Sequence, residues 1–183
     1  MSLIVTLSGS PSFPSRSQAV ADQVGEWLRA EGWEVQALNV RNLPAQALLH
    51  ARTDAPEVQE ALALVQRAEA LVVTTPVYKA SFSGVLKSFL DLLPQFGLRG
   101  KTVLPLLTGG TIAHVLALDY GLRPVLQSLD PRLVVSGLFV LDKLITVGAD
   151  GGVTVDAEIA PRLEAITKMF IDAIERLPAP EAS

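Results

Sequence analysis

Three short stretches of this sequence carry residue types suited to holding a ligand rather than to packing. The first, Ser8-Gly9-Ser10-Pro11-Ser12-Phe13-Pro14-Ser15-Arg16-Ser17, is dense in hydroxyls and runs into a helical pattern. Unpaired backbone N–H groups and the positive end of the helix dipole favour an anion at such a start. Ser8, Ser10, Ser15, Arg16 and Ser17 are therefore candidates for a phosphate cradle. The stretch lacks the Lys of a Walker loop and the G-x-G-x-x-G spacing of a dinucleotide fold, and Asn39 stands where an NAD-binding fold wants an acid. A mononucleotide phosphate fits better. A single serine at position 15 or 17 would read only as a helix cap; the serines together with Arg16 point to phosphate.

The second stretch, Thr75-Pro76-Val77-Tyr78-Lys79, follows an apolar run. Pro76 is expected to stop that strand and fix the backbone, leaving a ledge whose N–H groups meet the polar edge of a flat heterocycle while Tyr78 stacks on it or covers it. Taken alone, Tyr78 reads as a half-buried packing residue and Lys79 as a solvated charge. The third stretch is Thr108-Gly109-Gly110-Thr111, where two glycines allow close approach of backbone to ligand and Thr111 can cap the next helix. A plain Gly-rich turn is the alternative. Were a flat heterocycle to lie against that helix start, the N–H groups and dipole would stabilise negative charge developing on its polar edge.

The elements that must position these stretches read as alternating strands and helices. Leu3–Leu7 is strand one and Ser17–Arg29 helix one, with Val20, Val24, Trp27 and Leu28 at helical spacing and Gly32 at the stop. Val35–Val40 is strand two, and Asn42–Pro56, with two prolines, is irregular. Glu57–Ala68 is a helix and Ala70–Thr75 strand three, which lacks polar alternation and so is expected to be a parallel strand covered on both faces. Ser83–Leu93 is helical, Thr102–Leu107 strand four, Ile112–Leu129 a fourth helix and Arg132–Leu141 a fifth strand. Asp150-Gly151-Gly152 inside Ile145–Val155 signals a hairpin, Glu158–Leu177 the last helix, and the residues from Pro178 to Ser183 a frayed tail.

This order predicts a single α/β domain over residues 1–183, a flavodoxin-like three-layer sandwich with a five-stranded parallel sheet in the order 2-1-3-4-5. In such folds ligands bind beyond the carboxyl ends of the strands, where all three stretches fall. With 15 basic and 19 acidic residues spread along the chain, there is no electrostatic footprint for nucleic acid. No apolar run approaches the roughly 20 residues that cross a bilayer. No cysteine is present, which removes disulfides, thiolate metal sites and cysteine nucleophiles. His50 and His114 stand apart from any second ligand, so no metal is expected, and the start of the chain reads as cytoplasmic.

Taken together, Gly9-Ser10-Pro11 with Pro14-Ser15-Arg16-Ser17, the run Thr75 to Gly84, and Thr108-Gly109-Gly110-Thr111-Ile112-Ala113-His114 resemble the NADPH-dependent FMN reductases, and most nearly the alkanesulfonate-utilisation type, as far as about Phe139. The resemblance implies that Ser8, Ser10, Ser15, Arg16 and Ser17 surround the FMN phosphate. It also implies that Pro76, Val77, Tyr78, Lys79, Thr108, Gly109, Gly110 and Thr111 contact the isoalloxazine. It further implies hydride transfer from NADPH to flavin N5, no catalytic side chain, and delivery of reduced FMN to an FMNH2-dependent monooxygenase that cleaves a carbon–sulfur bond. Asp119-Tyr120-Gly121 resembles the same subgroup, in which an inserted Tyr forms a π-bulge at a subunit interface; this implies a homo-oligomer, dimer or tetramer, with Tyr120 regulating flavin release. Ser12 departs from relatives that often carry Arg there, which leaves the choice between NADPH and NADH open. An FMN-containing quinone or azo reductase and a flavodoxin-like electron carrier are the other readings of these loops. A phosphoacceptor domain is disfavoured because strand three ends in Thr74 and Thr75 rather than Asp.

Overall fold

Three strands without polar alternation, β1 (Leu3–Ser8), β3 (Ala70–Tyr78) and β5 (Thr102–Gly109), form the centre of the sheet in the computed structural model, which describes residues 2–148 and 152–176. β2 (Glu34–Asn39) pairs with the outer side of β1, and β6 (Leu133–Val134) and β7 (Leu138–Leu141) pair with the far side of β5, all in parallel. The parallel positions run in the expected order, that of a flavodoxin-like sheet, with the fifth position divided in two.

Alternate residues of the central strands serve two apolar layers. Ile4, Val72, Leu104 and Leu106 meet Val20, Val24 and Leu28 of α1 (Arg16–Ala30) and Leu163, Phe170 and Ile174 of α6 (Ala160–Arg176). Val5, Leu7, Leu71, Val73, Val103 and Leu107 face the other way, onto α2 (Ala45–Leu49), α3 (Pro56–Arg67), α4 (Gly84–Leu90) and α5 (Arg123–Gln127). Full burial of one such side chain contributes roughly 1.5–3 kcal/mol. These layers fix the strand ends, and so the loops that leave them.

The departures from the expected elements have identifiable causes. The fifth strand is broken at Val135–Gly137, beside Pro105 of β5. Val103 accepts from Val135 N at 3.0 Å, so Pro105, two residues on, faces the same neighbour without an N–H to offer. Gly137 fills the break; a Cβ there would stand 2.4 Å from the Pro105 carbonyl oxygen. The expected helix Ile112–Leu129 is three pieces: a 3-10 turn Ile112–His114, a π-helix Ala117–Leu122 where the resemblance implies a π-bulge at Tyr120, and α5. Within the stretch read as irregular, Ala47 and Leu48 are buried, which folds α2.

β8 (Ile145–Val147) and β9 (Val153–Val155) pair antiparallel as the expected hairpin and pack beside α1. Asp150 and Gly151 of its turn lie outside the described residues, as does the tail from Pro178. Among the described residues no helix is long and apolar enough to cross a membrane.

Candidate functional site

Three strand-to-helix corners meet at the carboxyl edge of the sheet around a cavity of about 150 Å³. The first corner contributes Ser10, Ser12, Pro14, Ser15, Arg16 and Ser17, the second Pro76, Val77 and Tyr78, and the third Thr108 and Gly109. Asp142, just beyond β7, completes the lining as a fourth corner. Ser8, Lys79, Gly110 and Thr111 stand beside the cavity's walls without lining it.

The first corner is a chain of hydroxyls folded onto backbone. Ser8 Oγ accepts from Ser10 N at 3.5 Å, and Ser10 Oγ from Ser12 N at 3.3 Å. Ser15 is the N-cap of α1, its Oγ accepting from Gln18 N at 3.2 Å. A hydroxyl that accepts one bond still has a proton to donate. Ser8, Ser10 and Ser15 are buried, and their O–H groups meet no acceptor among the described residues, which leaves their donor capacity unused there. Ser17 Oγ and Thr108 Oγ1, both buried, lie 2.7 Å apart and tie the first corner to the third. Arg16 is exposed at the helix start, with its Nε held 3.4 Å from the Ile145 carbonyl of β8.

A second guanidinium reaches this corner. Arg41, after the end of β2, donates from Nη1 to the Ser12 carbonyl at 3.1 Å and stacks 4.7 Å from the Phe13 ring centroid. It pins the loop at Ser12. Nothing in the sequence announces this contact, because Arg41 and Ser12 meet only through the fold.

The second corner corrects the reading of Pro76 as a stop. β3 continues through Pro76 to Tyr78 and turns back into β4 (Ser81–Phe82). Thr74 O accepts from Gly9 N at 2.9 Å, so Pro76, two residues on, faces the side where β1 has already ended. The missing N–H costs nothing there. Lys79 and Ala80 form the hairpin turn with φ of 50° and 61°, which carries Lys79 away from the cavity wall. Ser83 locks this corner to the first. Its Oγ donates to the Gly9 carbonyl and accepts from Leu86 N at 3.1 Å, while its N–H bonds Thr75 Oγ1 at 3.0 Å. Gly9 is required by the close approach: a Cβ there would fall 2.4 Å from Leu86 Cβ.

The third corner also differs from expectation. Thr111 Oγ1 caps only a three-residue 3-10 turn, accepting from Ala113 N at 3.3 Å, and a π-helix follows. The peptide dipoles therefore do not add up along an α-helix behind Gly110, and the expected dipole at this corner is short. Tyr120 lies within the π-helix and is 80% exposed. At the fourth corner, the Asp142 carboxylate has Oδ2 3.8 Å from where a Cβ on Gly110 would stand. A lone Asp after a strand looks like a solvated charge; applying the carboxyl-edge rule to strand five as well would have singled it out.

The arrangement offers unspent hydroxyl donors and one arginine for a phosphate, next to an open ledge of Val77 and Tyr78 that suits a flat ring.

Comparison with known proteins agrees with this chemistry. The chain is 46% identical over 182 residues, 98% of its own length and 92% of the relative's, to an FMN reductase (NADPH) of Pseudomonas putida. It is 46% identical over 142 residues, 78% of its length and 74% of the relative's, to an FMN reductase (NADPH) of Escherichia coli K12. The crystal structure of an NADH:FMN oxidoreductase in its apo form superposes with a TM-score of 0.87 at 38% identity, covering 97% of this chain and 92% of the other. The model of the NADPH-dependent FMN reductase family matches residues 2–145, and the chain belongs to that family.

Proposed function

We propose that this family member moves a hydride from NADPH to FMN and releases the reduced flavin to a separate FMNH2-dependent monooxygenase, in the sulfur assimilation of sulfonates. The overall step is NADPH + FMN + H+ giving NADP+ + FMNH2. The nicotinamide supplies two electrons and a hydrogen, and the flavin accepts them at N5. The protein's part is to bind and to orient. Ser8, Ser10, Ser15, Ser17 and Arg16 receive the FMN phosphate, with Arg41 holding the loop in place. Pro76, Val77 and Tyr78 support the ring, and Thr108 to Thr111 border its polar edge.

The observation that carries this reading is the set of buried hydroxyls whose protons have no acceptor among the described residues, gathered with Arg16 at the end of the sheet. Exposed Ile112, Leu116 and Tyr120, on the 3-10 turn, the π-helix and the turn between them, support a homo-oligomer, dimer or tetramer, in which a second copy covers them and flavin exchanges as a substrate. The cytoplasm, where NADPH is regenerated, is the compartment this reaction suits.

Steady-state oxidation of NADPH and NADH with FMN, FAD and riboflavin tests the reading. Turnover that depends on added FMN and falls sharply with riboflavin, which lacks the phosphate, is expected. Equal efficiency with riboflavin would remove the phosphate assignment. A yellow protein that reduces quinones by ping-pong kinetics would instead indicate a quinone or azo reductase.

A further inference from the structure

We infer that Asp142 makes the site bind oxidised flavin more tightly than reduced flavin, so that the product is expelled by its own charge. The inference rests on the proposal that FMN occupies this site. Asp142 is a half-buried carboxylate in the cavity lining, and no hydrogen bond or ion pair engages it among the described residues. A carboxylate can only accept, and one placed in a phosphate site would be counterproductive unless it served another part of the ligand. Its neighbour identifies that part. Oδ2 lies 3.8 Å from where a Cβ on Gly110 would stand, in the corner that this reading sets against the polar edge of the ring.

At that edge the charge changes during turnover. Hydride addition to the neutral ring delivers two electrons with one hydrogen, so the ring gains one negative charge until a proton is taken up. A site built to retain reduced flavin would set positive potential there. This one has only a three-residue 3-10 turn at the third corner, and an acid facing it. Before reduction, the same carboxylate accepts a hydrogen bond from the neutral ring's imide or from a ribityl hydroxyl. After reduction it repels the anion across a partly screened gap.

The test is a pair of titrations, with oxidised FMN in air and with chemically reduced FMN under anaerobic conditions, on the wild-type protein, Asp142→Asn and Asp142→Glu. Far-ultraviolet circular dichroism checks that each variant is folded. Asp142→Asn is expected to shift the ratio of the two dissociation constants by about tenfold toward the reduced form, and Asp142→Glu to keep the wild-type ratio. An unchanged ratio in Asp142→Asn, including equal weakening of both forms, would overturn the inference. If the wild-type protein bound neither form, the flavin-site proposal itself would have failed.

Discussion

The two ends of the sheet both bury polar groups, and they use them in opposite ways. At the amino end, Lys101 is only 8% exposed, yet its Nζ donates to the carbonyls of Gln66 at 2.8 Å and Ala68 at 2.5 Å, where α3 ends. Next to it Arg99 lies over the Phe96 ring at 4.1 Å and pairs with Asp130 at 2.7 Å. The cavity they border, about 460 Å³, is the larger of the two, but its cations are already spent on the chain's own acceptors. At the carboxyl end the cavity is about 150 Å³, and Ser8, Ser10, Ser15 and Asp142 keep hydrogen-bonding capacity that no other described residue uses. Unused capacity in buried polar groups, not cavity size, is what separates the proposed flavin site from the cavity at the other end.

The strongest challenge to that contrast is Ser15→Ala combined with Arg16→Ala. It removes a hydroxyl donor and a charge-assisted contact, the latter worth roughly 1.5–3 kcal/mol and nearer the lower figure for an exposed arginine. FMN affinity is expected to fall between about 10- and 100-fold by fluorescence titration. Loss of the N-cap also costs about 1 kcal/mol of stability, so the titration is run well below the variant's Tm. Affinity within a factor of about two of wild type would make the two ends equivalent.

Lys101→Ala probes the opposite end. It leaves the Gln66 and Ala68 carbonyls without their donor, and a loss of about 1–3 kcal/mol in denaturant unfolding is expected, with FMN affinity unchanged. The pH dependence sharpens this. Burial lowers the Lys101 pKa below its ordinary 10.5, so the unfolded chain holds the proton more tightly. Charged Lys101 therefore carries a penalty below its folded pKa, which is lifted as pH rises toward 10.5. The stability gap between wild type and Lys101→Ala should widen over that interval, and a gap that narrows would mean the ammonium is not desolvated.

What could be read from the sequence divides along similar lines. The apolar runs of β1, β3 and β5 announce themselves because a strand buried on both faces tolerates no polar alternation. The serines around Arg16 and the glycines after Thr108 are visible because they are local clusters of unusual composition. What escaped depends on partners distant in sequence. Whether Pro76 ends β3 is decided by where β1 stops, and whether Pro105 breaks a neighbour is decided by which side its nitrogen faces. Ser83, Arg41 and Asp142 are each ordinary in their own segments. They acquire roles only because Gly9, Ser12 and Gly110 are brought to them by the fold.

Thr108 sits on the boundary between the two behaviours, and Thr108→Val gives the smallest effect of the series. Its hydroxyl is spent on Ser17 at 2.7 Å, as Lys101 is spent on carbonyls, but it also lines the candidate site. Valine keeps the shape and removes the bond, leaving the buried Ser17 hydroxyl without its partner at a cost of about 1 kcal/mol. Because that bond joins the first corner to the third, the phosphate loop should also lose registration against the ring edge, and FMN affinity should drop by roughly two- to fivefold, less than 1 kcal/mol. A drop in stability with unaltered FMN binding would instead assign Thr108 to the scaffold alongside Lys101, and would show that the corners are held in place by Ser83 and the sheet without help from the hydroxyl pair.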